Sequence, residues 1–366
     1  MSAGRSELDL SLLPDGGLGW LDASGANADV VISTRMRLAR NISGYAFTAR
    51  AREGERLRLL AQVRDALGGV TSLHGAMLAR LDESSMLNRQ LLHERHLISR
   101  ELAGLDPQHP VRSGAAAFLA DGVGLLVNEE DHLRLQSMRS GFAAPQAFEA
   151  VSRLDRELGA QVPYAFHREF GFLTACPTNV GTGLRASVLI HLPGLVLTKE
   201  IGKVLAGLQQ MGLTYRGLYG EGSDVVGNFF QLSNQTTLGR TEEELLDLLV
   251  RVVRHVIERE EEARRVLVRD AGYIIEDKLW RAYGTLRYAR SLTFDEAMNY
   301  LSGVRLAVGL KLIAGLSVYT LNTLLIHTQS AHLAHLEGRP LTEPEANLAR
   351  ARFVRQALTN ESGGVG

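Results

Sequence analysis

Residues 171–191 read GFLTACPTNVGTGLRASVLIH, and the reading of this stretch decides the fold. It contains the only cysteine of the chain, Cys176, then the glycine- and hydroxyl-rich run Thr178 to Gly183. Arg185 enters an alternating apolar segment, Ala186, Val188 and Ile190. This pattern predicts two strands with the Gly/Thr turn between them. Glycines let backbone N–H groups approach an anion, and a guanidinium forks two bonds onto phosphate or carboxylate. A thiol, such a turn and a strand-opening arginine make one edge of an anion-handling site. The same residues also fit a hairpin turn with a buried cysteine and a surface arginine.

Upstream, DVVISTRMRLARN begins at Asp29. Val30, Val31 and Ile32 favour a strand, and on a strand Arg35 and Arg37 share one face. Two guanidiniums on one face repel unless an anion lies between them, which a polyphosphate satisfies. The alternative is a solvated basic edge that discourages strand pairing. Residues 115–119 and 124–127 read as strands joined at Ala120-Asp121-Gly122. They deliver three successive carboxylates, Glu129, Glu130 and Asp131, to a strand end, just before Arg134. Mutual repulsion raises at least one carboxyl pKa, which suits a general base. A solvated acidic loop is the plainer reading. Downstream, Tyr215 to Gly222 is a glycine-spaced loop with Arg216 and Glu221, fit to close over a ligand or to serve as a wide turn. Residues 227–233 read as a strand.

Helical periodicity appears at 51–68, with Leu57, Leu60, Val63 and Leu67 inward, and at 84–104, 144–160, 194–211 and 241–268. The last opens with a Thr241/Glu244 capping box. His93 and His96, three apart with no third ligand, read as surface or capping residues. From 270 onward every segment reads helical: 270–290, 293–302, 303–314, 317–327 and 343–358.

The composition, 45% hydrophobic and 22% charged over 366 residues, is that of a globular chain with room for two or three domains. A net charge of −1 argues against a mainly electrostatic nucleic-acid binder. One cysteine excludes an intrachain disulfide and a cysteine-rich zinc site. No secretory leader and no long uncharged apolar run is present, so a soluble cytoplasmic protein without membrane contact is expected. Arg35, Arg37, Arg134, Arg185 and Arg216, with Glu130 and Glu221, form a set able to hold a triphosphate and orient a cationic nucleophile. There is neither a GxxxxGK[ST] loop nor a kinase HRD or DFG set.

STRMRLARN (33–41), NEEDHLR (128–134), CPTNVGTGLRASV (176–188), RGLYGEGS (216–223) and QLSNQTTLG (231–239) in this order resemble the phosphagen kinase superfamily, closest to its bacterial protein-arginine kinases. The resemblance spans about residues 29–358. It implies an α+β fold, an antiparallel β-sheet flanked by helices followed by an all-helical C-terminal domain. It divides the chain into a lead-in (1–28), a catalytic domain (29–258) and a helical domain (259–366). It implies transfer of the ATP γ-phosphoryl group, with Mg2+, to a guanidinium nitrogen. Its nucleotide-binding positions fall on Ser33, Thr34, Arg35, Met36, Arg37, His96, Arg134, Arg185, Ala186, Ser187, Val188, Leu189, Arg216, Gly217, Leu218, Tyr219, Gly220 and Glu221. Its substrate carboxylates fall on Glu130, the expected general base, and Glu221. Cys176 matches a substrate-proximal cysteine with a positioning or electrostatic role, and no protein metal ligand is implied.

Kinases of small guanidino compounds carry a helical domain ahead of the STR motif, which here begins at Ser33, so an open site for arginine side chains of proteins is expected. Marking of those proteins for Clp-type proteolysis, a zinc-binding activator and a homodimer through the apolar segment 306–325 are further implications. The alternatives are a kinase for a free guanidino compound and an inactive phosphoarginine-binding adaptor. One departure stands out. The family's C-terminal Arg-Asp-x-x-Arg-Ala sensor reads Ala346-Asn347-Leu348-Ala349-Arg350-Ala351 here, which puts phosphoarginine sensing in question. Arg350 and Arg355 are expected on a solvated helix face.

Overall fold

The computed structural model describes residues 9–106, 110–218 and 225–362. Its strands are β1 (Val31–Arg40), β2 (Met77–Arg80), β3 (Ala116–Ala120), β4 (Val123–Val127), β5 (Leu133–Ser140), β6 (Phe166–His167), β7 (Gly171–Phe172), β8 (Leu184–His191), β9 (Leu213–Arg216) and β10 (Phe229–Asn234). Eight of them form one sheet in the order β2-β3-β4-β5-β1-β8-β10-β9, every pair antiparallel. The helices are α1 (Glu53–Ala66), α2 (Met86–Glu94), α3 (Arg100–Ala103), α4 (Ala144–Gly159), α5 (Pro193–Leu197) and α6 (Ile201–Gln210). They continue with α7 (Glu242–Tyr288), α8 (Phe294–Gly309), α9 (Val318–His327), α10 (Ser330–Leu336) and α11 (Glu343–Ser362). The architecture is the expected one.

The two faces of the sheet differ because side chains alternate along each strand. One face is apolar throughout. Met36, Leu38, Leu125, Leu135, Ala186, Val188 and Leu232 pack there against α1, α4 and the first half of α7. The other face is divided. At the β2–β4 end, Met77, Leu119 and Leu126 are covered by Leu92, Leu102 and Ala103 of α2 and α3. Toward β5, β1 and β8 the same face turns to arginine. Helices α8–α11 and the end of α7 enclose a separate core, including Leu279, Leu301, Leu306, Leu325 and Val354.

Several local expectations change. Leu57 is 41% exposed, and Leu59, Leu60 and Val63 form the packed stripe of α1. Leu57 and Leu59 lie about 200° apart around a helix, so both cannot face the sheet. Residues 84–104 split into α2 and α3 at His96, whose φ is +60°, and 194–211 split at Lys199, φ +62°. Conversely, 241–268 and 270–290 fuse into α7, with one irregular residue, Ala271, because the apolar stripe continues through Ile275 and Leu279. The segments 293–302 and 303–314 merge into α8, which ends at Gly309, and Gly303 faces Ala282 and Leu279 of α7. The Thr241/Glu244 capping box forms as read.

The opening stretch does not make a paired hairpin. β7 pairs with β6, Phe172 bridges Gly181, and β8 enters the main sheet beside β1. The Gly/Thr run is a loop from the side hairpin to the sheet centre. A Cβ on Gly183, at φ +65°, would lie 2.6 Å from the Ala39 carbonyl oxygen, so only glycine lets the chain reach β1 there.

Candidate active site

Strand registry brings the arginines together. Arg37 lies directly across from Arg185, Arg35 across from Ser187, and Ala39 across from Arg134. Arg216 pairs with Gln231, which pairs with Leu189, so β9 adds its arginine to the same face. Five guanidinium-bearing residues from β1, β5, β8 and β9 thus share one face. Arg35 donates from Nη2 to Gln136 Oε1 at 2.6 Å. Arg37 makes no hydrogen bond or ion pair among the described residues, and its Nε is buried without a partner. Burial, then the charge of Arg134, lowers the Arg35 pKa to about 10 against the pull of Glu129. Burial, with Arg35, Arg134 and Arg185 adding to it, lowers that of Arg37 further. Burial and mutual repulsion both disfavour these charges, an electrostatic setting that a bound anion would relieve.

The three carboxylates have separate positions. Glu129 is buried and clasps Arg134, with Nη1 to Oε1 at 2.8 Å and Nε to Oε2 at 2.7 Å. Asp131, fully buried, accepts from Asn41 Nδ2 at 2.7 Å and from Ala175 N at 2.6 Å, pinning the loop that carries Cys176. Glu130 remains part-exposed, 3.3 Å from Arg134 Nη2 and 3.5 Å from Asn179 Nδ2, with the Cys176 thiol close enough to act on its titration. Burial raises its pKa, Arg134 opposes, and Asp131 and Glu129 add to the rise. Burial disfavours the charge of Arg134, and Glu129, Glu130 and Asp131 outweigh it, so its pKa is raised. Cys176 Sγ also lies 3.0 Å from Thr178 Oγ1.

The remaining candidate positions divide between the faces. Met36, Ala186 and Val188 are fully buried in the core on the opposite face. Thr34 Oγ1 donates to the Gly141 carbonyl at 2.7 Å and accepts from Ala143 N, fixing the β5–α4 turn. Ser33 is in register with Leu189, both nearly buried, and Ser187 Oγ lies 3.4 Å from the Arg35 carbonyl oxygen. Gly217 and Leu218 are buried at the end of β9. Tyr219, Gly220 and Glu221 lie outside the described residues. His96 is half-buried rather than a surface residue, its ring edge-on to Trp20 at 5.3 Å and beside Arg35.

Sequence reading passed over Gln136, which orients Arg35, and the separate jobs of Glu129 and Asp131. The signal for Gln136 was its two-residue spacing from Arg134, hidden because β5 was not anticipated. In the helical region, Arg350 is 2% exposed and is not on a solvated face. It donates to the carbonyls of Thr328 and Leu292 at 2.8 Å and to Asn347 Oδ1 at 2.7 Å. Arg355 is half-buried and donates to the Ala289 carbonyl. Thr328 and Ala289 cap the C-termini of α9 and α7, which leave carbonyls to satisfy, and these arginines satisfy them.

Comparison with known proteins agrees with this geometry. Residues 58–263 match the family model for the ATP:guanido phosphotransferase C-terminal catalytic domain, and 273–364 match the protein-arginine kinase McsB C-terminal domain. The protein-arginine kinase of Symbiobacterium thermophilum is 43% identical over 346 residues, 93% of this chain and 96% of the relative. That of Desulforamulus reducens is 42% identical over 347 residues, covering 94% and 96%. Among solved structures, lombricine kinase aligns with a TM-score of 0.56 and 26% identity over 70% of each chain. The duplicated taurocyamine kinase from Schistosoma mansoni aligns at 0.55 and 28%, over 68% of this chain and 37% of that longer one. Family models over both regions, near-full-length relatives and an arginine-lined antiparallel sheet lead to one assignment: the chain belongs to the protein-arginine kinases of the ATP:guanido phosphotransferase superfamily.

Proposed function

We propose that the chain phosphorylates arginine side chains of proteins from ATP, using Glu130 as the general base. The carrying observation is the arginine face, where Arg37 forms no ion pair among the described residues and the repulsion of Arg35, Arg134 and Arg185 outweighs the pull of Glu129. A triphosphate relieves that repulsion and is held by the same cations. ATP arrives as its magnesium complex.

The chemistry needs a guanidinium that has lost a proton, and free guanidinium holds its proton at any working pH. Glu130 takes that proton. The substrate nitrogen then attacks the γ-phosphorus, the N–P bond forms, and the bond to the bridging oxygen breaks to leave ADP. The raised Glu130 pKa brings its basicity nearer to neutral pH. The Cys176 thiol orients the carboxylate, and Glu221 serves as the second carboxylate on the substrate. Ser33, Ser187, Leu189, His96, Gly217 and Leu218 line the nucleotide side, and the family resemblance assigns Tyr219 and Gly220 to nucleotide binding as well. Met36, Ala186 and Val188 contribute strand backbone and core support, not side-chain contact.

We place the domain boundary within α7, near residue 259. Dimerisation through the helical region, a zinc-binding activator, Clp-type proteolysis of the products and a cytoplasmic location complete the reading. No described helix is long and apolar enough to cross a membrane. The carbonyl bonds of Arg350 support a packing role for the altered sensor motif.

The test is incubation with ATP, magnesium and an unfolded arginine-containing protein, read by mass spectrometry under non-acidic conditions. Free arginine and the Glu130→Gln variant are run in parallel. Phosphoarginine on the protein, lost in the variant by about 10²-fold or more, is expected. Transfer to free arginine alone overturns the protein-substrate assignment.

A further inference from the structure

Helix α10, in the C-terminal region, is fastened to the end of α2 by a buried polar lock. Glu94, 5% exposed, accepts from Ala331 N at 2.9 Å, His332 N at 3.1 Å and His332 Nδ1 at 2.8 Å. Gln90 Nε2 adds a fourth bond at 3.1 Å. The next residue, Arg95, donates from Nε to His332 Nε2 at 3.1 Å and from Nη1 to the Gly16 carbonyl. A guanidinium only donates, so Nε2 carries the lone pair and Nδ1 the proton, and His332 is the neutral tautomer bridging carboxylate and guanidinium. Glu94, Arg95 and His332 are all at least nine-tenths buried.

The lock continues into the arginine face. After Arg95 the chain turns through His96 at φ +60° and presents the Leu97 carbonyl. That carbonyl accepts from Gln136 Nε2 at 2.7 Å, and Gln136 Oε1 accepts from Arg35 Nη2 at 2.6 Å. Gln136 is 5% exposed and has one amide to divide between these partners. Arg35 is repelled by Arg134, so it has reason to swing toward water when the nucleotide is absent. The Gln136 bond opposes that motion, and the Leu97 carbonyl fixes which way the amide faces.

We infer that Glu94, His332 and Gln136 are positioning residues for nucleotide binding, holding Arg35 preorganised through the chain α10–Glu94/Arg95–Leu97–Gln136. The C-terminal region thereby contributes to ATP affinity without touching ATP. The inference rests on the reading of the arginine face as the nucleotide site. Preorganisation acts on binding, so losing the lock weakens ATP affinity and leaves turnover at saturating ATP nearly unchanged.

The test titrates the full chain with ATP and magnesium by calorimetry, alongside steady-state kinetics and melting curves. The variants are Glu94→Gln, His332→Leu, Gln136→Leu and the double variant of the last two. Each single change is expected to weaken ATP binding about five- to tenfold, with kcat within about twofold. The double variant is expected to be no worse than the weaker single, because the residues act in series. Glu94→Gln keeps the side-chain shape and serves if His332→Leu fails to fold. Unchanged affinity in a folded variant, or a double variant that loses the product of the two singles, overturns the inference. A wild-type chain that binds no ATP overturns the nucleotide-site reading itself, a separate outcome.

Discussion

Arg37→Met should stabilise the nucleotide-free protein while abolishing tight ATP binding. Arg37 is two residues from Arg35 on one strand face and directly opposite Arg185, with Arg134 also acting on it and Glu129 alone opposing. Same-face neighbours on a strand are about 7 Å apart, where two unit charges at an effective dielectric of about 20 repel by about 2 kcal/mol. Glu129 offsets one of three such terms. Arg37 is half-buried, and side-chain splaying and salt reduce the remainder to about 1–3 kcal/mol. Methionine keeps the unbranched stem and its packing without the charge. The nucleotide-free chain should therefore melt about 2–5 °C higher at low salt. The gain should shrink in 0.5 M salt, where the screening length falls to about 4 Å. Calorimetric ATP affinity should fall by about 30-fold or more, as expected when one side of a desolvated charge pair is removed. A variant that melts lower in the absence of nucleotide, or that binds ATP as tightly as the wild type, would refute the reasoning.

Two further outcomes follow from other parts of the molecule. As the proposed general base Glu130 acts ionised, and its pKa is raised by burial with the help of Asp131 and Glu129, so activity should be present above that pKa and lost as pH falls through it. The acid limb of kcat/KM should lie above the ordinary glutamate value, and a limb at or below it would remove Glu130 as the base. Arg40 is fully buried, bonded to Asp155 at 3.0 and 2.8 Å, with Glu242 at 3.5 Å and the Phe172 ring beneath it. Asp155→Asn should cost about 2–4 kcal/mol by chemical denaturation, less than a fully unpaired buried charge because Glu242 remains. A loss below about 1 kcal/mol would show that the pair is not needed to hold β1 against α4.

Much of this molecule is written in local pattern. The period-two alternation of β1, the Ala120-Asp121-Gly122 turn between β3 and β4, and the capping box at Thr241 each form as residues within one element require. The ordered motifs carry the family signature, because a site assembled from many short segments leaves a trace in each. Tertiary structure decided what depends on partners distant in the chain. Registry set Arg37 opposite Arg185 and Arg134 opposite Ala39, about 100 to 150 positions away, and so converted scattered basic residues into one face. Packing chose which carboxylate of Glu129, Glu130 and Asp131 would stay at the cleft. It also carried α7 through an expected break and drew Arg350 inward to cap carbonyls. Local sequence records which side chains prefer burial and where a helix can begin. The partner a charged group finds is fixed only when distant strands and helices close around it, since an ion's energy depends on everything within reach of its field.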